Sequence, residues 1–460
     1  MKRRGATGVA GIMSAPMRVA FVSANRETMP DAVIPIGLLY VMAACPERHE
    51  TVLWDLCFEE DPLGALGRQL DAFRPDLIAI GLRNIQNMDY TGIDANMAFY
   101  REMMQVVRRH SDRPVLLGGG GFSVMPVEIM KDLGADYGIS GEAERAFPQL
   151  LDQLESAAPE LTQVESLHWR EGDRIRLNGR MGDFLVMDDI ASPDRSLLDD
   201  RYYTEYGIES LQTKRGCPLK CDYCTYPKIE GARGRVREPG RVADEFMEVA
   251  GRRPDVNHIF IVDSVFNLPI RHAKEVCRQL IARGNTTPWT CYINPVAFDE
   301  ELAGLMAEAG AAGSELGSDS GCDEVLKTLR KGFTVEKIRN AARLHKQFDL
   351  KDCHSFILGT TGETMDHVER TLDFVEELDP FAAILLVWVD DIEALDAGIA
   401  AERFQLKQDI YERIAERAKR HSRWVVPTLG IQFSEKQFRM LRHAGLRGPL
   451  WQYLDMAPAI

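Results

Sequence analysis

The stretch "PDLIAIGL", residues 75–82, decides the fold of the first third of the chain. Its apolar run has no polar alternation, which is typical of a parallel β-strand covered by helices on both faces. Similar segments surround it, namely "MRVAFVSA" (17–24), "ETVLWDL" (50–56), "PVLLGGGG" (114–121) and "ADYGISG" (135–141). Helical patterns separate these segments. The order predicts an α/β domain with a doubly wound, Rossmann-like parallel sheet over 17–160, preceded by a flexible tail at 1–16.

A second β/α series follows a connector at 161–205, which itself contains a predicted strand pair within 164–180. The predicted strands of this series begin near 209 and continue at 258–264, 287–294, 313–321, 351–363 and 382–391. Six β/α units without a closing pair predict a partial (β/α)6 barrel of the TIM type over 206–398. The last part, 399–460, predicts a small helical C-terminal segment.

Composition narrows the classes of function. The net charge is -15 and the pI is about 5.3. A nucleic-acid or anionic-membrane partner needs a basic footprint that this chain lacks, so we expect a small-molecule substrate. No run of 18 apolar residues and no signal-peptide core occur, which predicts a cytoplasmic protein with no membrane partner. In that reducing setting the nine cysteines favour metal chemistry and buried thiols over disulfides.

The stretch "KRGCPLKCDYCTYP" (214–227) places Cys217, Cys221 and Cys224 in a C-x3-C-x2-C spacing. It follows the first barrel strand, where barrel active sites are built. A structural zinc site usually has four protein ligands, and no second cysteine pair or nearby histidine completes one here. Three thiolates on a cubane iron–sulfur cluster leave one iron open. We therefore predict that these cysteines bind a [4Fe–4S] cluster.

This spacing, with the aromatic Tyr223 before the last cysteine, resembles the cluster loop of the radical S-adenosylmethionine (SAM) superfamily. The resemblance implies that the open iron chelates SAM and that reduction releases a 5'-deoxyadenosyl radical. "ELGSDSG" (315–321) is similar to a family motif E-x-G-x-E-S-G, and "FILGTTGET" (356–364) resembles the fifth-strand motif. For Ser320 and Glu363 the alternative is ordinary turn chemistry. The SAM-binding residues implied are Tyr223, Asp263, Ser264, Asp319, Ser320 and Glu363.

The N-terminal segments "PIGLLYVMAA", "PDLIAIG", "LLGGGGFSVMP" and "ADYGISGEAERAF" are similar to the cobalamin-binding (B12-dependent) subfamily. The chain lacks D-x-H-x-x-G, so the resemblance implies cobalamin bound with its own base displaced. We predict Arg83 beneath the cobalt; the alternative is a salt bridge to the corrin side chains or a neighbouring acid. The glycine run has a flexible turn as its alternative. The implied cobalamin residues are Arg83, Asn84, Gly118, Gly119, Gly120, Gly121, Phe122, Gly141 and Glu142.

These cofactors together imply methylation of an unactivated carbon, with the radical removing hydrogen and methylcobalamin giving the methyl group. The alternatives are a cyclase or rearrangement enzyme, a transferase of another SAM-derived group such as aminocarboxypropyl, and a non-catalytic sensor. An electron donor such as flavodoxin or ferredoxin is implied as a partner. Trp388, Asp390 and Asp391 are predicted to face the substrate, with the acidic pair holding an amine or a guanidinium. The alternative is that Trp388 is core and the aspartates cap the next helix.

Overall fold

The computed structural model describes residues 16–85, 95–181, 183–390, 396–431 and 435–456. These ranges form two seven-stranded sheets, each with its helices, and a two-stranded ribbon. The helices in the described ranges are all too short or too polar to cross a lipid bilayer. Asp391 lies outside the described residues, so its predicted substrate contact stays a prediction.

The first sheet has the order β2-β1-β3-β4-β5-β6-β7. The order in which successive strands are added changes direction between β1 and β3. The first five strands are parallel. In a doubly wound sheet such a reversal opens a crevice beyond the carboxyl ends of the two strands, where ligands bind. The strands are β1 (Arg18–Ser23), β2 (Glu50–Asp55), β3 (Leu77–Gly81), β4 (Val115–Gly118), β5 (Tyr137–Ile139), β6 (Leu167–Glu171) and β7 (Arg174–Leu177).

Helices cover both faces of this sheet, which explains its continuous apolar strands. Phe21 and Ile80 are 0% and 1% exposed, and burial of such side chains stabilises the fold by about 1.5–3 kcal/mol each. Asp61 begins α2 by accepting a hydrogen bond from the Gly64 amide at 3.0 Å. The helices are α1 (Ile36–Ala43), α2 (Pro62–Phe73), α3 (Ala95–His110), α4 (Gly120–Val124), α5 (Pro126–Leu133) and α6 (Ala146–Glu155).

The strand pair predicted inside the 161–205 connector belongs to the first sheet. β6 pairs antiparallel with β5, and β7 pairs antiparallel with β6. The pair covers what would otherwise be an exposed sheet edge, whose unpaired amides favour aggregation. The first sheet therefore extends to Leu177, beyond the predicted boundary at 160.

The second sheet has the order β16-β15-β14-β13-β12-β11-β8, and all its pairings are parallel. The predicted partial barrel behind a Rossmann-like domain is confirmed. The helical C-terminal prediction needs a correction, because β16 lies in that segment and adds a short seventh strand. The strands are β8 (Ile208–Leu211), β11 (His258–Ile261), β12 (Trp289–Ile293), β13 (Ala311–Asp319), β14 (Lys351–Leu358), β15 (Ala382–Val387) and β16 (Trp424–Val425), and the ribbon is β9 (Lys214–Arg215) with β10 (Arg235–Val236).

The barrel helices alternate with these strands and bury amphipathic faces against them. Thr364 and His367 form a capping box at the start of α13. The helices are α7 (Tyr226–Ile229), α8 (Pro239–Arg252), α9 (Ile270–Ala282), α10 (Glu300–Glu308), α11 (Asp323–Thr328), α12 (Val335–Gln347), α13 (Met365–Leu378), α14 (Ala397–Ala418) and α15 (Glu435–His443).

The barrel interior is hollow, and we call it the lumen. Successive strand residues point to opposite faces. Those facing the helices are buried, whereas Tyr292, on the inner face of β12, is 39% exposed. Phe260, Glu315, Ser355, Ile357, Ile384 and Leu386 are also partly exposed on inner faces. The C-terminal stretch 446–454 closes one end, where Lys351 Nζ donates to the Gln452 carbonyl at 2.6 Å.

Candidate active site

The three-cysteine loop is closed at its base by the β9–β10 ribbon. Gly216 has φ +84°, and a Cβ there would lie 2.1 Å from the Arg233 carbonyl oxygen, so only glycine allows the loop ends to meet. The Cys217 amide donates to the Gly231 carbonyl at 3.1 Å. Cys217 is buried, and Cys221 and Cys224 are partly exposed.

The thiols of this loop lie close enough to influence one another. Burial raises the pKa of Cys221 and of Cys224, and the Cys217 charge adds to both shifts. In the described part of the chain, no group of three or more His, Cys, Asp or Glu side chains is arranged to hold a single metal ion. A donor set of soft thiols alone matches the ligand type of an iron–sulfur cluster.

Asp263, predicted to contact SAM, is fully buried and instead holds the chain that leads into the cluster loop. Its Oδ1 accepts from the Thr213 amide at 2.8 Å and the Lys214 amide at 3.1 Å, and its Oδ2 from the Thr213 hydroxyl. These bonds occupy both oxygens, so Asp263 is a positioning residue. The neighbouring Ser264 hydroxyl is partly exposed and accepts from Lys214 Nζ at 3.4 Å.

Tyr223 and Asp319, predicted SAM contacts from distant segments, meet above the lumen. The Tyr223 hydroxyl donates to Asp319 Oδ2 at 2.6 Å, and Lys331 Nζ lies 2.7 Å from the same oxygen. Burial raises the pKa of Asp319, and the Lys331 ammonium opposes that shift. The other oxygen, Oδ1, faces exposed Gly317, where an added Cβ would lie 3.5 Å from it, so a ligand can approach it from that side.

Ser320 and Glu363 differ in what their oxygens do. The buried Ser320 hydroxyl accepts from the Cys322 amide at 3.1 Å and contacts the Thr371 hydroxyl at 3.1 Å, which is turn chemistry. Glu363 Oε2 accepts from the Thr360 amide at 2.8 Å, whereas Oε1 is buried without a partner. An unsatisfied buried acceptor is unfavourable and indicates a missing hydrogen-bond donor.

Two neighbouring loops build the β1/β3 crevice. Arg83 and Asn84, after β3, both donate to Glu27 after β1, at 3.4 Å and 3.0 Å. Glu27 also accepts from Asn96 at 3.1 Å. The ion pair with Glu27 matches the alternative given for Arg83, and it does not exclude a ligand above the guanidinium, whose side chain is 42% exposed.

The glycine run lies against the same crevice. Gly119 has φ +95°, and a Cβ there would lie 2.6 Å from the Leu82 carbonyl oxygen. At Gly121 a Cβ would lie 3.0 Å from the Asn84 backbone. These two glycines therefore allow close packing of two loops, while Gly118, Gly119 and Gly120 keep partly or fully exposed backbone.

Three other predicted cobalamin residues lie elsewhere. Phe122 is 0% exposed and packs its ring against His168 in the core, so its side chain cannot reach a cofactor. Glu142 joins the two domains through Arg235 at 2.8 Å and Arg215 at 3.2 Å, and it also pairs with Arg180, just after β7, at 3.4 Å. A Cβ at Gly141 would lie 3.0 Å from the Ile229 carbonyl, at the same junction. The sequence shows the strand ends but not these long-range partners.

The predicted substrate residues separate as well. Trp388 is partly exposed and its ring lies 6.0 Å from that of Tyr223, so it borders the site and is not core. Asp390 pairs with Arg403 at 3.0 Å and Lys407 at 2.9 Å of α14. Two cations already neutralise this carboxylate, which corrects its predicted role as an amine ligand.

Sequence analysis missed Lys331 and Glu27, and no local pattern marks them, because each contacts a residue far away in the chain. Tyr226, two residues after the last cysteine, is a further residue that the sequence did not single out. Tyr226 is 40% exposed, and burial raises its pKa to about 12, with the Arg83 charge opposing that shift. It begins α7, which packs against α4 at the glycine run. The crevice and the cluster loop therefore lie next to each other.

Comparison with known proteins gives two domain matches. The radical SAM superfamily profile matches residues 211–375, and the B12 binding domain profile matches residues 22–151. An uncharacterized methyltransferase of Pyrococcus horikoshii is 26% identical over 78% of this chain and 76% of its own length. Tryptophan 2-C-methyltransferase of Streptomyces laurentii is 26% identical over 78% of this chain and 70% of its own length.

A solved structure is similar over most of the chain. It is the radical SAM methyltransferase TsrM from Kitasatospora setae with tryptophan and a SAM analogue bound. The TM-score is 0.71 at 25% identity, covering 80% of this chain and 73% of TsrM. Both predicted domains thus have counterparts in one known architecture.

Proposed function

We propose that this chain, which belongs to the cobalamin-dependent radical SAM enzymes, transfers a methyl group to a carbon atom of a small molecule held in the lumen. One arrangement supports the proposal. α4, which begins in the glycine run of the β1/β3 crevice, packs against α7, which follows the cluster loop. A small molecule beside Tyr292 would be within reach of groups bound at both places.

The residues around the cluster loop fit SAM and a cluster. When bound, the cluster would supply an electron to SAM, and cobalamin would carry the methyl group. Cys217, Cys221 and Cys224 would ligate the cluster. Glu363 Oε1, which is buried without a partner, would accept a hydrogen bond from SAM. Asp319 Oδ1 would do the same, with Tyr223 and Lys331 fixing the carboxylate.

The crevice residues Arg83 and Asn84 and the backbone of Gly118–Gly120 would hold cobalamin. Glu27 would fix the orientation of Arg83 through their ion pair. A guanidinium does not lose its proton to ligate a metal, so Arg83 beneath the cobalt would leave the lower position without a protein ligand. Electron paramagnetic resonance of the cob(II)alamin form tests this, because nitrogen splitting from an axial base would contradict it. Arg83→His should introduce that splitting.

Two further parts of the proposal concern the cell. A flavodoxin or ferredoxin would reduce the cluster, since Cys221 and Cys224 are partly exposed to a partner. We place the enzyme in the cytoplasm, where reducing conditions keep thiols free; all nine cysteines are unpaired in the structure.

The test is anaerobic reconstitution with iron, sulfide and hydroxocobalamin, followed by incubation with a reductant, SAM carrying a deuterated methyl group, and a metabolite extract. Mass spectrometry should detect a compound that has gained the labelled methyl group. The Cys217→Ala/Cys221→Ala/Cys224→Ala variant is the control and should form none. A new product without the label would indicate the cyclase or rearrangement alternative. If no SAM is consumed, the proposal that the protein is an enzyme is contradicted.

A further inference from the structure

One carboxylate in the lumen has no cation beside it. Glu315 lies in the middle of β13, directly opposite Tyr292 in the β12–β13 register. Its Oε1 accepts a hydrogen bond from Trp451 Nε1 at 3.0 Å. The salt bridges of the described residues include none with Glu315, although the other carboxylates nearby are neutralised; Asp31, for example, pairs with Arg442.

Without a neighbouring cation, the surroundings of Glu315 disfavour its ionised form. Burial, with the Asp31 charge adding to it, raises the pKa of Glu315 to about 7. The Glu315 charge in turn is the main cause that raises the pKa of Tyr292. The nearby Lys351 gives no compensation, because its ammonium donates to the Gln452 carbonyl and lies 4.3 Å from the Phe381 ring. Glu315 is partly exposed to the lumen but enclosed by the barrel, and a carboxylate so removed from bulk water needs a cation or a proton.

The contact with Trp451 does not account for the charge. An indole N–H needs one acceptor oxygen, and the neutral amide of glutamine would supply it equally well. The hydrogen bond that joins the C-terminal stretch to the barrel therefore uses one oxygen of Glu315. The Tyr292 hydroxyl, opposite Glu315 on β12, is a second neutral donor to this carboxylate, and the other walls of the lumen are largely apolar.

The lumen around Glu315 fits a small apolar or aromatic body. The Phe260 and Tyr292 rings pack edge to face at 5.2 Å, and Ile384 and Leu386 are partly exposed on the inner face of β15. Asp319, next to the expected SAM position, is four residues further along β13, which corresponds to about 13 Å at the usual rise of an extended strand. A molecule of this length would reach from Glu315 to the reacting groups.

We propose that Glu315 binds the ammonium group of the substrate, which is therefore a small primary amine with an apolar or aromatic body. The inference rests on the proposed function, since it assigns the molecule that occupies the lumen. Ammonium binding would replace the missing cation, and the position of Glu315 would direct the far end of the molecule towards Asp319.

Two probes of the same shape and opposite charge test the proposal. Tryptamine is a cation and indole-3-propionate is an anion, and calorimetry on the cofactor-loaded protein measures their affinities without turnover. We expect tryptamine to bind at least tenfold more tightly. Equal affinities, or no saturable binding of either probe, would overturn the proposal. Because no methyl transfer is needed, a failure here is distinguishable from a failure of the proposed function.

Variants then locate the preference. Glu315→Gln keeps an acceptor for Trp451 and removes the charge, so the preference for tryptamine should disappear. Lys351→Met is the matched control, because it removes another contact with the same C-terminal stretch and leaves Glu315 intact; it should keep the preference. A preference that survives Glu315→Gln would place the ammonium elsewhere. If that variant does not fold, the two-probe comparison on the wild-type protein still decides.

Discussion

The two seven-stranded sheets bury their strands in different ways. In the first, β1 and β3 are covered on both faces, so the sheet offers a ligand only the loops at its edge. In the second, the strands bury the face towards the helices and leave the lumen face partly exposed. The first sheet can bind a ligand at the crevice beyond its strand ends, and the second can enclose a ligand inside the barrel. From this difference we propose that cobalamin binds at the crevice and the substrate inside the barrel.

The strongest test of this division removes the cluster ligands. Changing Cys217, Cys221 and Cys224 together to alanine should abolish bound iron and all SAM cleavage, because no other thiol lies in the loop. Cobalamin bound at the first sheet should be retained. Iron analysis and absorption spectra measure both cofactors. A normal iron content would contradict the cluster site, and joint loss of cobalamin would contradict independent sites.

Two glycine substitutions should each remove one cofactor and leave the other bound. In Gly216→Ala the new Cβ would clash with the Arg233 carbonyl, and in Gly119→Ala with that of Leu82, both at positive φ. We expect more than a tenfold loss of iron in the first and of cobalamin in the second, each with the other cofactor retained. Gly172→Ala is the control, since it has φ +60° but open space around it. The opposite assignment of losses would refute the division.

Glu363→Gln should weaken SAM binding about tenfold, corresponding to about 1.4 kcal/mol, because the charged acceptor at Oε1 is lost. Ser320→Ala should change SAM affinity less than twofold, since the Ser320 hydroxyl serves the Cys322 amide and Thr371. Equilibrium binding to the unreduced, cluster-loaded protein gives both values. An equal change in SAM affinity in the two variants would indicate that Glu363 only stabilises the turn.

The last effect concerns the pH dependence of stability and leaves both cofactor sites unchanged. The folded pKa of Glu315, about 7, lies above its ordinary value of 4.5, so the folded chain favours the protonated form. The resulting stability is fully present below pH 4.5 and is lost as the pH rises through 7. Relative to wild type, Glu315→Gln should therefore gain about 1–3 kcal/mol between pH 5 and pH 8. Urea unfolding of both proteins at the two pH values measures the difference, and parallel pH profiles would contradict the shift.

Local patterns predicted what depends on neighbours in the sequence. Continuous apolar runs gave the strands of both sheets, and the cysteine spacing identified the cluster loop, because these signals need no distant partner. The remaining assignments depended on residues far apart. Asp390 is neutralised by Arg403. Asp263 accepts its hydrogen bonds from the backbone just before the cluster loop. Phe122 packs in the core against His168 of β6, one of the antiparallel strands added after β5. Nothing near these positions in the sequence indicates such partners.

The closure of the lumen by residues 446–454 has a consequence for synthesis of the chain. The ribosome makes every barrel strand from β8 to β16 before Trp451, so a nascent barrel has no floor beneath Glu315. Arg442, which fastens this stretch to Asp31 in the first domain, is also made late. The barrel interior is therefore sealed only after residues 446–454 have been made, and the nascent chain cannot enclose a substrate until translation has passed that point.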